Sequence, residues 1–276
     1  MNKNLKIFLF SFICPIFILT GLNTCEASEI DKKSKEENIE AEILKCIKKF
    51  SSPKISEIEK ENIKGDIVWN FGFKALPYLL KVLKESNEEV QYYCISVILE
   101  IIGGKKRSLE MSIAPPGKVE NTKIDITEFP LPKEEKEWIE KAFLAISEFV
   151  SHPNPKIRAK AIDAIGCFGS SKAVPLLEKA LNDKDVNVRA IAYDRLCYLG
   201  CRQYNRFKII TGKEPKTPED YAEYLSDTEY GIGREAMRKL KEFGKSAVPV
   251  LIEVTKKDQE PGRTRAITLL GEMKAE

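Results

Sequence analysis

The stretch "FGSSKAVPLLEKAL", Phe168–Leu181, decides the fold, because near copies stand at Phe71–Leu83 ("FGFKALPYLLKVL") and Phe243–Val254 ("FGKSAVPVLIEV"). In each copy a Gly follows an aromatic residue, and a Pro stands a few residues on. A Gly that closes a helix can take the left-handed cap conformation without a Cβ penalty. A Pro in the first turn of the next helix loses no hydrogen bond, since that N–H has no intrahelical partner. The phrase therefore reads as stop, turn and start, with one amphipathic helix before it and another after it.

Spacing defines the helix before the joint. Ile157, Ala161, Ile165 and Phe168 stand at steps of four, four and three, which is one helical face. The same steps recur 31 residues later at Val188, Ala192, Leu196 and Leu199, with Gly200 in the place of Gly169. Further copies are Val90, Cys94, Ile98 and Ile101, then Ile232, Ala236, Leu240 and Phe243, and a weaker Gly262, Ala266, Leu270 and Met273. Arg follows the first apolar position at Arg158, Arg189 and Arg263, and Asn87, Asn154 and Asp185 stand upstream as N-cap residues.

The pattern "VRAIAYDRLCYLG" (Val188–Gly200), joined elsewhere to Ala-Val-Pro, resembles the short HEAT-like repeats of the phycobilisome-lyase type. The resemblance covers about residues 71–276, most closely 153–200 and 231–254. It implies an all-α, right-handed α-solenoid of about five helical pairs. The step is shorter than that of ordinary HEAT units, and the tetratricopeptide and ankyrin signatures are absent. Such repeats serve many tasks, so the resemblance speaks to fold and not to activity. The expected organisation is a leader at 1–27, a charged helical segment at 28–70 with a helix over about Ser34–Phe50, and a solenoid at 71–276.

Two stretches depart from the repeat. Gly103–Lys133 ("GGKKRSLEMSIAPPGKVENTKIDITEFPLPK") reads as a polar insertion ahead of a helix at Glu134–Val150. Cys201–Asp227 replaces an expected joint, and within it "TPED" reads as a helix start with Thr217 as cap and Pro218 in the first turn. Both are read as parts not required to build the array, and hence either as recognition loops carried on a rigid scaffold or as tolerated surface insertions. Polar residues after the joints, namely Lys81, Lys84, Glu178, Lys179, Glu253 and Lys256, are expected to point to or flank the concave face.

At the amino terminus, Lys3 and Lys6 precede an apolar run at Ile7–Leu19, and Cys25-Glu26-Ala27 offers small residues where a leader peptidase reads. The run is short for a spanning helix, which needs about twenty apolar residues. Cleavage after Ala27 gives an exported, periplasmic or secreted protein. Membrane attachment would come only through a lipid on Cys25 or an uncleaved leader. The net charge of +3 gives no electrostatic footprint for nucleic acid. The 32% of charged residues are mainly the solvated faces of a helical array.

The functional inventory is sparse. His152 is the only histidine, set in "SHPNP", and one histidine supports neither a multi-histidine metal centre nor an iron site of the HEAT-fold deoxyhypusine hydroxylase kind. Cys94 falls on a core register, and Cys197 and Cys201 lack a second ligand pair for zinc. "GIGREA" at Gly231–Ala236 has Ala where a dinucleotide fingerprint needs its third Gly. Trp69 and Trp138 read as packing residues. No catalytic, cofactor-binding or metal-binding residue is assigned. The function expected is a non-enzymatic scaffold with a protein partner, and the alternative is a lyase-like enzyme acting on a protein-bound cofactor.

Overall fold

The computed structural model describes residues 24–114, 123–257 and 260–275. The apolar run of the leader lies outside them, as do residues 115–122 of the first insertion. The described residues contain helices and no strand, and among them no helix is long and apolar enough to cross a membrane. Two compact units divide at residue 42. In the first, the described residues lie within helix α1 (Thr24–Phe50).

The second unit is an α-solenoid. Its helices are α2 (Glu57–Asn70), α3 (Leu76–Leu83), α4 (Glu88–Ile113), α5 (Lys133–Ser147), α6 (Pro155–Cys167), α7 (Val174–Ala180) and α8 (Val186–Tyr198). They continue with α9 (Arg206–Thr211), α10 (Pro218–Ala222), α11 (Ile232–Phe243), α12 (Val248–Lys257) and α13 (Gly262–Ala275). First helices stack on first helices, α2 on α4, α4 on α6, α6 on α8 and α11 on α13. Second helices stack likewise, α3 on α5 and α10 on α12. The pair that holds the first joint begins with α2, inside the segment read from the sequence as a charged helical extension.

The joints have the geometry that the repeated phrase requires. Gly72, Gly169 and Gly244 all take positive φ, at 50°, 74° and 57°. A short 3-10 turn follows each, and its last residue, Ala75, Ala173 or Ala247, is fully buried. The helix then starts with Pro77, Pro175 or Pro249 in its first turn. At this spot a larger residue than Ala would have to displace a neighbouring helix, because interiors are close-packed.

The periodic residues form the core. Val90, Cys94, Ile98, Ile157, Ala161, Ile165, Val188, Ala192, Leu196, Ile232, Ala236 and Leu240 are all buried. Burying each large aliphatic side chain among them contributes about 1.5–3 kcal/mol. In the weakest copy Ala266 is buried as expected, but the buried leucine is Leu269, while Leu270 is half-buried. Asn87, Asn154, Asp185 and Thr217 accept hydrogen bonds from N–H groups of the first helical turn, as N-caps do. Burial pushes the Cys94 thiol up to about 12, so it stays neutral.

The arginines of the repeat stitch neighbouring segments. Arg158 is buried and grips Asp183 through Nε (2.8 Å) and Nη2 (2.7 Å), while its Nη1 donates to the carbonyls of His152 and Pro153 (both 2.9 Å). Arg189 donates to the Ile209 and Ile210 carbonyls at 2.6 and 3.0 Å. In the last copy Arg265, rather than Arg263, donates to the Leu225 and Asp227 carbonyls at 2.6 Å.

Described residues of both departures pack into the array instead of standing clear of it as surface loops. The first is helical up to Ile113, because α4 runs through Gly103 and Gly104. Glycine in a helix interior costs about 0.5–1 kcal/mol relative to Ala. At Gly103 the missing side chain is used, since a Cβ there would sit 3.1 Å from Cys167 Sγ. Downstream, Ile126 is fully buried, its N–H donates to the Phe168 carbonyl (3.1 Å), and Thr127 Oγ1 meets Ser170 Oγ at 3.2 Å. The second departure supplies Phe207, Ile210, Tyr221 and Leu225 to the C-terminal core cluster.

Candidate binding groove

Charged side chains do chemistry only where the fold gathers them, and it gathers several at the C-terminal ends of the first helices. A groove of about 1100 Å³ runs across these ends, lined from α2, the turn after it, α4, the insertion, α6 and α8. Its α2 side is apolar, with Val68, Trp69 and Phe73, and Leu99 faces them from α4. Trp69 is 88% exposed, so it is not the packing residue that the sequence suggested. Trp138 is half-buried beneath Lys141, whose Nζ lies 4.3 Å from the ring centroid.

The far side is built on Tyr198. Lys106, buried despite its charge, donates to the Cys167 carbonyl (3.1 Å) and to Tyr198 Oη (3.0 Å), with Glu110 Oε1 at 3.8 Å. Lys123 donates to the Tyr198 carbonyl at 2.7 Å. The two ammonium groups lie 4.7 and 4.6 Å from the Tyr198 ring centroid, within cation–π range. Glu110 also accepts from the Ile124 N–H (3.2 Å), which ties the insertion to α4.

Two glycines make this arrangement possible. A Cβ on Gly169 would fall 2.3 Å from the Ile124 carbonyl and 2.4 Å from Lys106 Nζ, and one on Gly166 would fall 2.6 Å from Arg195 Cβ. Arg195 also pairs with Asp163, and Lys105 with Glu135 (2.8 Å), whereas Glu100 pairs with Lys64 (2.7 Å). Arg107 and Lys123 are exposed cations of the lining, and no carboxylate among the described residues is bonded to either.

The residues expected at the concave face are exposed but scattered. Lys84 pairs with Glu148 (2.6 Å), Glu178 accepts from Tyr204, and Glu253 pairs with Lys256 (3.1 Å) and Lys257 (3.0 Å). Glu178 and Glu253 line two separate shallow depressions. Lys81 and Lys179 are exposed on α3 and α7. His152 serves the backbone, with Nδ1 accepting from the Asn154 N–H (3.1 Å) and its ring stacked on Phe149. Cys197 is hydrogen-bonded to Tyr193, whose hydroxyl burial and this contact push up to about 12. Among the described residues no group of three or more His, Cys, Asp or Glu side chains gathers to hold a metal ion.

The sequence marked one part of the groove, since the stretch Gly103–Lys133, expected to carry recognition, supplies Lys105, Lys106, Arg107, Glu110 and Lys123 to its lining. The α2, α6 and α8 members were missed, Trp69 among them, because nothing local in the chain brings them together.

The description of HEAT repeats matches residues 144–200, which span the end of α5 through α8. No curated protein matches the chain. Among solved structures, a crystallised engineered protein is 17% identical, with a TM-score of 0.36, covering 85% of this chain and 97% of its own. A designed armadillo repeat protein is 15% identical, with a TM-score of 0.33 and coverages of 83% and 98%. Another designed armadillo repeat protein, solved with the peptide (KR)4, is 15% identical, with a TM-score of 0.35 and coverages of 84% and 99%. The segment at 144–200 is thus similar to HEAT repeats, at the part of the array where α6 and α8 close the groove.

Proposed function

We propose that the protein is an exported, non-catalytic scaffold of the bacterial cell envelope that binds another protein along this groove. The observation that carries the reading is Trp69, which holds a large apolar ring in solvent at the edge of a depression that spans four stacked helices. Tryptophan is the residue most enriched at the energetic centres of protein interfaces, and loss of such an anchor typically costs 2 kcal/mol or more. Export rests on the Lys-flanked apolar run and the small residues at Cys25 and Ala27.

The lyase-like alternative needs carboxylates held above their usual range in a groove, where they could donate protons. Among the described residues, the carboxylates displaced from their ordinary range all move the other way. Glu57 is lowered by its Tyr93 and Lys60 hydrogen bonds, and Glu235 by Arg238. Asp220 is lowered by the Lys216 and Thr217 backbone N–H groups, as in a helix cap. These are structural ion pairs and caps.

The test places a photo-crosslinking amino acid at position 69 and, as control, at the exposed position 144, in the protein expressed in a bacterial host. A discrete adduct from position 69 that is absent from position 144 is expected. Equal labelling from both positions would sink the groove as the recognition surface. Mass spectrometry of the same material should find Ser28 at the amino terminus, and an intact Met1 or an acylated Cys25 would reject leader cleavage.

A further inference from the structure

The lining of the groove specifies a partner chemistry more narrowly than the scaffold reading on which this inference rests. One end offers a bed of Trp69, Val68, Phe73 and Leu99, and the other offers cations around Tyr198. Several of these cations are already satisfied within the chain, Lys105 by Glu135 and Arg195 by Asp163. Buried Lys106 is held by two oxygen acceptors with Glu110 nearby. Arg107 and Lys123 are different, because both are exposed and neither is paired with a carboxylate among the described residues. An occupant that lay along the groove would therefore meet apolar surface first and uncompensated positive charge next.

Size points to a polypeptide. The groove crosses from α2 to α8 by way of α4 and α6. Packed helices stand 8–10 Å apart, so three steps cover roughly 24–30 Å. An extended chain advances about 3.3 Å per residue, which makes this span about seven to nine residues.

We infer that the groove takes an extended acidic polypeptide segment of about eight residues, with an aromatic or aliphatic side chain on Trp69 and carboxylates on Arg107 and Lys123. Arg107 supplies a planar fork of donors suited to a carboxylate, and Lys123 supplies a point charge already fixed by its bond to the Tyr198 carbonyl. Attraction between exposed charges is screened over about 8–10 Å at physiological salt, so binding should weaken as salt rises.

The experiment pans a displayed library of random nine-residue peptides on the full chain lacking its leader, then measures individual dye-labelled peptides by fluorescence anisotropy. The expected pool is acidic and carries at least one aromatic or aliphatic residue. Its members should bind at least tenfold more weakly to Trp69→Ala and to Arg107→Glu, and more weakly as NaCl rises from about 50 to 500 mM. Circular dichroism melts of both variants should match the parent. Enrichment of basic or neutral peptides that still depends on Trp69 would overturn the acidic partner while leaving the scaffold reading intact. A pool that binds the Trp69→Ala protein as well as the parent, or no enriched pool at all, would overturn both. Retention of phosphatidylglycerol vesicles without any peptide binding would also overturn the inference, in favour of a lipid surface.

Discussion

Ile126→Ala tests whether the first insertion is a structural member of the array. Ile126 is 0% accessible, and its N–H donates to the Phe168 carbonyl at the neighbouring joint. Truncating a buried Ile to Ala costs about 2–5 kcal/mol, from lost apolar transfer and the cavity left behind. For a unit of this size 1 kcal/mol corresponds to about 2–4 °C in melting temperature, so a mid-range loss of about 3 kcal/mol predicts a drop of about 6–12 °C. Ile113→Ala, at the half-exposed end of α4, is the control and should change stability by less than about 0.5 kcal/mol. Scanning calorimetry gives both numbers, and hydrogen exchange should show lost protection at the Ile126 amide. If the two substitutions shifted the melting temperature equally, or Ile126→Ala left it unchanged, the insertion would be a surface loop and the account of the groove's far wall would fall.

Gly166→Ala in α6 should destabilise by about 1–3 kcal/mol, because its Cβ would lie 2.6 Å from Arg195 Cβ, even though Gly to Ala in a helix ordinarily stabilises. Urea unfolding gives the sign directly. Asp183→Asn should cost about 1.5–3 kcal/mol near pH 7, since it removes the charged half of a buried bidentate pair with Arg158. Burial alone would raise the Asp183 carboxyl, but hydrogen bonds from Arg158 and the Asp185 N–H hold it below its ordinary value. Its stabilisation is therefore present above the unfolded-state value of about 3.9 and is lost as pH falls through the lower folded-state value. Parent and variant melting temperatures should converge as the pH drops below about 4, and a gap that stayed constant to the lowest pH would contradict the assignment.

The joints were legible in the sequence because each depends on local chemistry. A positive-φ Gly, a buried Ala and a first-turn Pro lie within a few residues of one another at Gly169, Ala173 and Pro175. The core register was legible for the same reason, since the period of Ile157, Ala161 and Ile165 is a property of one helix. The groove was legible only in its insertion, Gly103–Lys133, because the closure of that stretch against α2, α6 and α8 depends on pairs far apart in the chain. "GGKKR" carries two glycines and three charges and reads as a break, yet Lys106 is buried by contacts to Cys167 and Tyr198. Likewise Trp69 has the size and apolarity of a core residue, yet it stands 88% exposed at the end of α2.

The clamp around Tyr198 also alters how the array comes apart. A solenoid behaves as a one-dimensional chain in which each unit senses only its immediate neighbours. Lys106 and Lys123 belong to the α4–α5 pair, yet they bond α8, past the intervening α6–α7 pair. That link skips a unit, so α4, α6 and α8 cannot fray one at a time without breaking it. The middle of the array becomes a single cooperative block, while the α12–α13 end lies outside the clamp. Hydrogen exchange should therefore find α4, α6 and α8 opening together, with local unfolding beginning at the α12–α13 end.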